Sequence, residues 1–163
     1  MIVVADTSPF VVLVAIGDVD VLPTLFKEVL IPPQVSLELA SARRPPEVRT
    51  FIATPPPWLR VLAPSSTESI PGLAAAETAA IALAREVQAG RLIIDEYRGR
   101  KAAAERGLRV VGTIGVLELG AELGIIDLKG AFERVKQTDF WISHKLLDER
   151  LALFLQRKRA QQP

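Results

Sequence analysis

The stretch Ile2-Val3-Val4-Ala5-Asp6-Thr7-Ser8-Pro9 decides how the chain is read. Its apolar run predicts a buried strand, and Thr7-Ser8-Pro9 is a cap signal followed by proline, so a helix should start there and run to about Ile16. Between the two stands Asp6, a carboxylate at the end of a buried element. An ionised group buried alone costs several kcal/mol, so it must find a proton, a cation or a metal. Leu92-Ile93-Ile94-Asp95 repeats the arrangement.

Outward from these two runs, short apolar strands alternate with helical segments. Strands are expected at 2–5, 29–31, 58–62, 92–94 and 109–111. Helices are expected at 19–26, 33–42, 47–53, 73–88, 96–106, from Thr113 to about Leu123, and at 129–137 and 144–158. Pro55-Pro56-Pro57 is a stiff connector, residues 63–72 form a Pro/Ser/Gly loop, and the tail from Lys158 should fray. The alternation argues for an α/β fold with a mostly parallel sheet in one domain spanning residues 1–163. Ligands of such sheets bind beyond the carboxyl ends of the strands, where Asp6 and Asp95 fall.

Two further acids lie on helical stripes. Leu73, Glu77, Ala80, Ile81, Ala84 and Val87 follow helical spacing, which puts Glu77 on a core-facing side; Glu38 sits one turn from Val35. Taken singly, each acid has an ordinary reading. Asp95 can cap the helix at 96–106, and either glutamate can be solvated. Caps do not explain Glu38 and Glu77, so the four together point to one acidic pocket. Crowded carboxylates raise one another's pKa, and a divalent cation relieves the repulsion. Oxygen donors suit Mg²⁺ or Mn²⁺, which can activate water toward a phosphodiester.

Composition narrows the choice. The 163 residues are 49% hydrophobic with a formal net charge of +1, so no global field draws in nucleic acid or anionic membrane. A polyanion would have to be held locally. Cysteine is absent and His144 is the single histidine. Disulfides, thiolate zinc sites, Cys nucleophiles and multi-His metal sites are thereby excluded. The lack of cysteine fits a reducing cytoplasm. Neither a signal peptide nor a membrane span is expected.

The opening Val3-Val4-Ala5-Asp6-Thr7-Ser8-Pro9-Phe10 resembles that of PIN-domain ribonucleases, in particular a prokaryotic PIN-like branch with an Asp-Thr-Ser-Pro signature. Val29 to Leu39 resembles its second motif, with the acid at Glu38. Glu77 to Ala84 resembles the third, and Leu92 to Arg98 the strand bearing the fourth acid, Asp95. Gly107 to Leu117 also fits, so the match runs through residues 2–125 in order. Two positions depart from the pattern. Ala76 stands where the branch usually has glycine, and Asp95-Glu96 where it often has two aspartates. The resemblance implies a three-layer α/β/α fold and Mg²⁺- or Mn²⁺-dependent cleavage of RNA, often as the toxin of a toxin–antitoxin pair.

The resulting expectation is a metal-dependent endoribonuclease. Asp6 and Asp95 are the most direct ligands, and Glu38 and Glu77 hold metal waters or position the nucleophile. The alternative is a catalytically inactive PIN-like module that binds RNA or protein. Receiver and aspartyl-phosphate phosphatase readings are disfavoured, because Ser8 stands where a phosphatase wants a second aspartate and only Asp6 stands where a receiver wants paired acids. Arg98, Arg100 and Lys101 follow Asp95, and Arg43 and Arg44 follow Glu38, so both groups can flank the pocket and hold phosphates. Ser8 or Thr7 can reach a phosphate or a metal water, or else cap the helix. Trp58 and Trp141 are read as core or interface residues, and His144 as a cap-region or surface residue. Apolar helices near 19–26 and 113–126 suggest a homodimer or an antitoxin chain as partner.

Overall fold

The computed structural model describes all residues, 1–163. Five short strands form one sheet, β1 (Ile2–Ala5), β2 (Glu28–Ile31), β3 (Leu59–Val61), β4 (Arg91–Ile93) and β5 (Val110–Val111). Their order is β3-β2-β1-β4-β5 and every pairing is parallel. The chain builds outward from β1 to β3, then returns to place β4 on the other side of β1. The crossovers diverge between β1 and β4, the switch point of this sheet.

Nine helices connect the strands: α1 (Thr7–Ile16), α2 (Val21–Leu25), α3 (Pro33–Leu39), α4 (Pro46–Ala53), α5 (Ala75–Glu86), α6 (Tyr97–Glu105), α7 (Thr113–Glu122), α8 (Leu128–Lys136) and α9 (His144–Gln161). Side-chain alternation along the strands divides them into two layers. Val3, Ala5, Val29, Ile31 and Ile93 join the core with α1, α2, α3, α4, α7, α8 and α9. Val4, Leu30 and Leu92, on the opposite face, join Ala80, Ile81, Leu83 and Ala84 of α5 and Ala102 and Ala103 of α6. Both faces are covered, which explains why the strands read as continuous apolar runs. The α/β/α architecture expected from the sequence is the one observed.

Element ends shift by one to three residues from the expected ones, and two local expectations change in substance. The tail does not fray at Lys158, because α9 continues to Gln161. Lys158 donates to the Glu122 carbonyl at 3.3 Å and lies 5.7 Å from the Phe154 ring centre, which fastens the last turns to α7. Trp141 is not a core residue, being 98% exposed, whereas Trp58 is half-buried and its ring lies 6.1 Å from that of Phe51. The apolar sides of α2 and α7 meet within the chain, so closely that a Cβ on Gly120 would come 2.7 Å from Val21 Cγ2. No helix is long and apolar enough to cross a membrane.

Phe10 ties α1 to α4 within the larger core. It is fully buried on α1 and its ring lies 5.9 Å from that of Phe51 on α4. Phe10→Ala is expected to lower the unfolding free energy by about 3–5 kcal/mol, measured by urea denaturation. A loss under about 1 kcal/mol would show that α1 does not seat the core.

Candidate active site

The parallel register carries Asp6 and Asp95 to one edge of the sheet. Ala5 pairs with Ile93, and the Asp6 amide continues the ladder by donating to the Ile93 carbonyl at 2.9 Å. The chain then turns into α1 with Asp6 in the cap position, in extended geometry and without a side-chain cap bond. The hydroxyls that read as a cap are used elsewhere. Thr7 Oγ1 donates to Glu38 Oε2 at 2.6 Å, and Ser8 Oγ donates to Asp95 Oδ2 at 2.5 Å. One helical turn therefore holds an acid from α3 and the acid that follows β4 beside Asp6.

Asp95 does not cap the helix that follows it; Glu96 occupies that position. It caps α7 instead, the helix that follows the neighbouring strand β5. Its Oδ1 accepts from the Thr113 amide at 2.7 Å and its Oδ2 from Thr113 Oγ1 at 2.6 Å. Gly112 makes room, since a Cβ there would meet Asp95 Oδ1 at 3.0 Å. With Ser8 added, both oxygens of Asp95 are engaged, in three hydrogen bonds.

Glu77 enters from the other layer. Its Oε1 accepts from the Ala74 amide at 3.1 Å, a helix-start bond, while Oε2 is buried without a partner. Gly99 of α6 permits this packing, because a Cβ there would come 2.8 Å from Glu77 Oε2 and 2.6 Å from Ile94 Cδ1. Asp6 Oδ1 is likewise buried without a partner. Asp6 is 8% exposed and Glu77 7%.

Burial dominates the electrostatics. It pushes the Asp6 carboxyl up to about 7, against the opposing pull of the Thr7 amide, and the charges of Glu77, Glu38 and Asp95 push the same way. Glu77 is also raised, first by burial, then by the charges of Glu96 and Glu38 and by a hydrogen bond that a proton on Glu77 can make to Glu96. Glu96 is thus a fifth acid of the site, one that sequence reasoning missed. Its signal in the sequence is the Asp95-Glu96 pair, a departure from the family pattern.

All five acids line one groove of about 1750 Å³, together with Thr7, Ser8, Arg43, Arg44, Tyr97, Arg100 and the connector from Gln137 to Ser143. Of the basic residues expected there, Arg100 lines the groove. Lys101 lines a smaller adjoining recess with Asp95, Tyr97 and Arg100. Arg98 lines neither and points toward Gly72, where its Nη1 would lie 3.5 Å from an added Cβ. It leaves the groove because α6 turns it toward the loop before α5. Ser8 is present, but its hydroxyl is committed to Asp95.

No three of the acids form a group that can hold a metal ion as they stand. Two of the acids are enough for a hard divalent ion that keeps most of its waters. Mg²⁺ is usually held by one or two carboxylates with water completing its shell, and Asp6 Oδ1 and Glu77 Oε2 are two buried oxygens with no other partner.

The raised Asp6 carboxyl has a consequence for stability. Its folded pKa lies above the unfolded value of 3.8, so the folded state binds the proton more tightly. Stability from this group is present at low pH and is lost as pH rises toward about 7. In metal-free buffer, Asp6→Asn should therefore gain stability relative to the parent as pH increases from about 4 to 7, by a few kcal/mol at the upper end. Urea unfolding across that range measures it, and a difference independent of pH would refute the shift.

A PIN-domain family model matches residues 2–156. Among solved structures, a PilT N-terminus domain protein from the hyperthermophilic archaeon Sulfolobus solfataricus P2 is similar in fold. Its TM-score is 0.51 at 16% identity, over 71% of this chain and 90% of that one. No curated protein matches. PIN domains are generally nucleases and typically use divalent metal ions, which agrees with an acid-lined groove at the switch point of a parallel sheet. With 2–156 of its 163 residues covered by the family model, the chain belongs to the PIN domain family.

Proposed function

We propose that the protein is a Mg²⁺- or Mn²⁺-dependent endoribonuclease, acting over residues 1–163 as one domain in the cytoplasm. The observation that carries this reading is the pair of buried, unpartnered oxygens, Asp6 Oδ1 and Glu77 Oε2, in a groove shared with Glu38, Asp95 and Glu96. In this reading Asp6 and Glu77 are the most direct ligands. Asp95, whose oxygens are already engaged, moves to an orienting role beside them. When bound, the ion neutralises the acids and polarises the phosphodiester.

The chain's own groups do the rest. Thr7 fixes the Glu38 carboxylate, leaving its second oxygen to accept a proton from the attacking water. Ser8 and Thr113 hold Asp95 against the repulsion of its neighbours. Arg43, Arg44 and Arg100 line the same groove and hold the flanking phosphates of RNA. A role as the toxin of a toxin–antitoxin pair belongs to the same proposal. So does a second copy or antitoxin chain seated on the exposed leucines Leu123, Leu146, Leu153 and Leu155.

The alternative, an inactive module that binds RNA or protein, draws on the absence of a ready group of three ligands. Cleavage of RNA in Mg²⁺ or Mn²⁺ separates the two. Activity is expected in the wild type and should fall roughly hundredfold or more in Asp6→Asn. Wild type unaffected by either metal, or equal rates in both proteins, defeats the nuclease reading. A hundredfold excess of metal over its Kd should also raise the melting temperature by about 5–10 °C. Light scattering at micromolar concentration should show a species larger than one chain, and a clean monomer would rule out self-association at that concentration.

A further inference from the structure

Two aromatic rings line the acid-bearing groove from different elements. Tyr97 opens α6 and is 75% exposed; Trp141 lies between α8 and α9 and is 98% exposed. Leaving an indole wholly in water forgoes the large burial that such a ring offers. The exposure is not that of a loose loop. Phe140 and Ile142, on either side of Trp141, pack against the main core. The Phe140 amide donates to Thr138 Oγ1 at 3.2 Å, and the Leu146 amide donates to Ser143 Oγ at 3.2 Å, so both ends of the connector are fastened. Its neighbours are anchored inward while Trp141 is held outward, on the wall of the groove.

We propose that Trp141, assisted by Tyr97, is the base-stacking platform of this groove and takes the face of an unpaired base of the bound strand. This deepens the nuclease reading and rests on it for the identity of the polymer. Acids outnumber arginines in the groove's lining, so a polyanion is held there by local cations and by stacking, not by net charge. Arg43, Arg44 and Arg100 line the same groove, so cations for phosphates and exposed ring faces for bases are offered together. That pairing of groups is what an unpaired strand recognises. A duplex keeps its base faces stacked inside and presents only phosphates, sugars and base edges. Trp141 acts as a specificity-determining residue and takes no part in bond cleavage.

The test compares Trp141→Ala and Trp141→Phe in an Asp6→Asn background that blocks cleavage, in Mg²⁺. Binding is followed by anisotropy of a labelled single-stranded oligoribonucleotide and of the matching duplex. Trp141→Ala should weaken single-strand binding roughly tenfold, with Trp141→Phe keeping most of it and duplex binding unchanged. In a Trp58→Phe protein, where Trp141 is the remaining indole, the single strand should quench the emission and the duplex should not. With Asp6 intact, Trp141→Ala should raise KM for a single-stranded substrate and leave kcat near wild type.

Equal single-strand affinity with and without Trp141 overturns the proposal. So does an equal loss for strand and duplex, or quenching that follows protein concentration without RNA, which would mean that a second copy covers the ring. The two readings fail separately. Strand-selective binding through Trp141 without cleavage retains the stacking and removes the nuclease. Cleavage indifferent to Trp141 does the reverse.

Discussion

The rest of the site is arranged around a carboxylate placed where water scarcely reaches it. Asp6 follows the central strand at the start of α1 and keeps one buried oxygen without a hydrogen bond. In water that oxygen would be solvated; here its charge is opposed by burial and by three neighbouring acids. At neutral pH the carboxyl is poised between holding a proton and giving it up, a state in which a divalent cation competes effectively. Glu77 shares the condition through its own unpartnered oxygen and its neighbour Glu96.

Hydroxyls and glycines make such crowding tolerable. Thr7, Ser8 and Thr113 each spend a donor on an acid from another element, so Glu38 and Asp95 are held by neutral groups and not by lysine or arginine. A cationic partner would cancel the charge that a metal must meet. A neutral hydroxyl fixes the direction of a carboxylate and leaves its charge available. Gly99 and Gly112 let backbone approach Glu77 and Asp95 where a methyl group would press on the carboxylate oxygens.

Much of this was legible in the residues, for a physical reason. A parallel sheet covered on both faces needs continuous apolar strands, so Val3-Val4-Ala5 and Leu92-Ile93-Ile94 announce themselves, and an acid ending such a run is conspicuous. Glu77 stood out in the same way, as a charge on an apolar helical stripe. Glu96 did not, because an exposed glutamate beside Asp95 is the commonest kind of helix-start residue. Arg98 and Arg100 are indistinguishable in sequence, two positions apart on a helix, yet one faces the groove and the other the loop at Gly72. The core alternative for Trp141 fails, although tryptophan is usually buried, because Phe140 and Ile142 take the inward positions, and nothing local says that they will.

Taken alone, the sequence determined the strands and the helices, since these depend on local pattern, and it singled out four acids through the cost of burying charge. Tertiary structure decided which oxygens are free. Thr7 and Ser8 carry the signature of a cap, but the α3 and β4 acids arrive beside them and take their hydrogen bonds. Asp95 looks like a cap for its own helix and instead caps α7, which follows the neighbouring strand. A hydrogen bond goes to the nearest suitable partner in space, and for groups 31, 87 and 18 residues apart that nearness exists only once the sheet has formed.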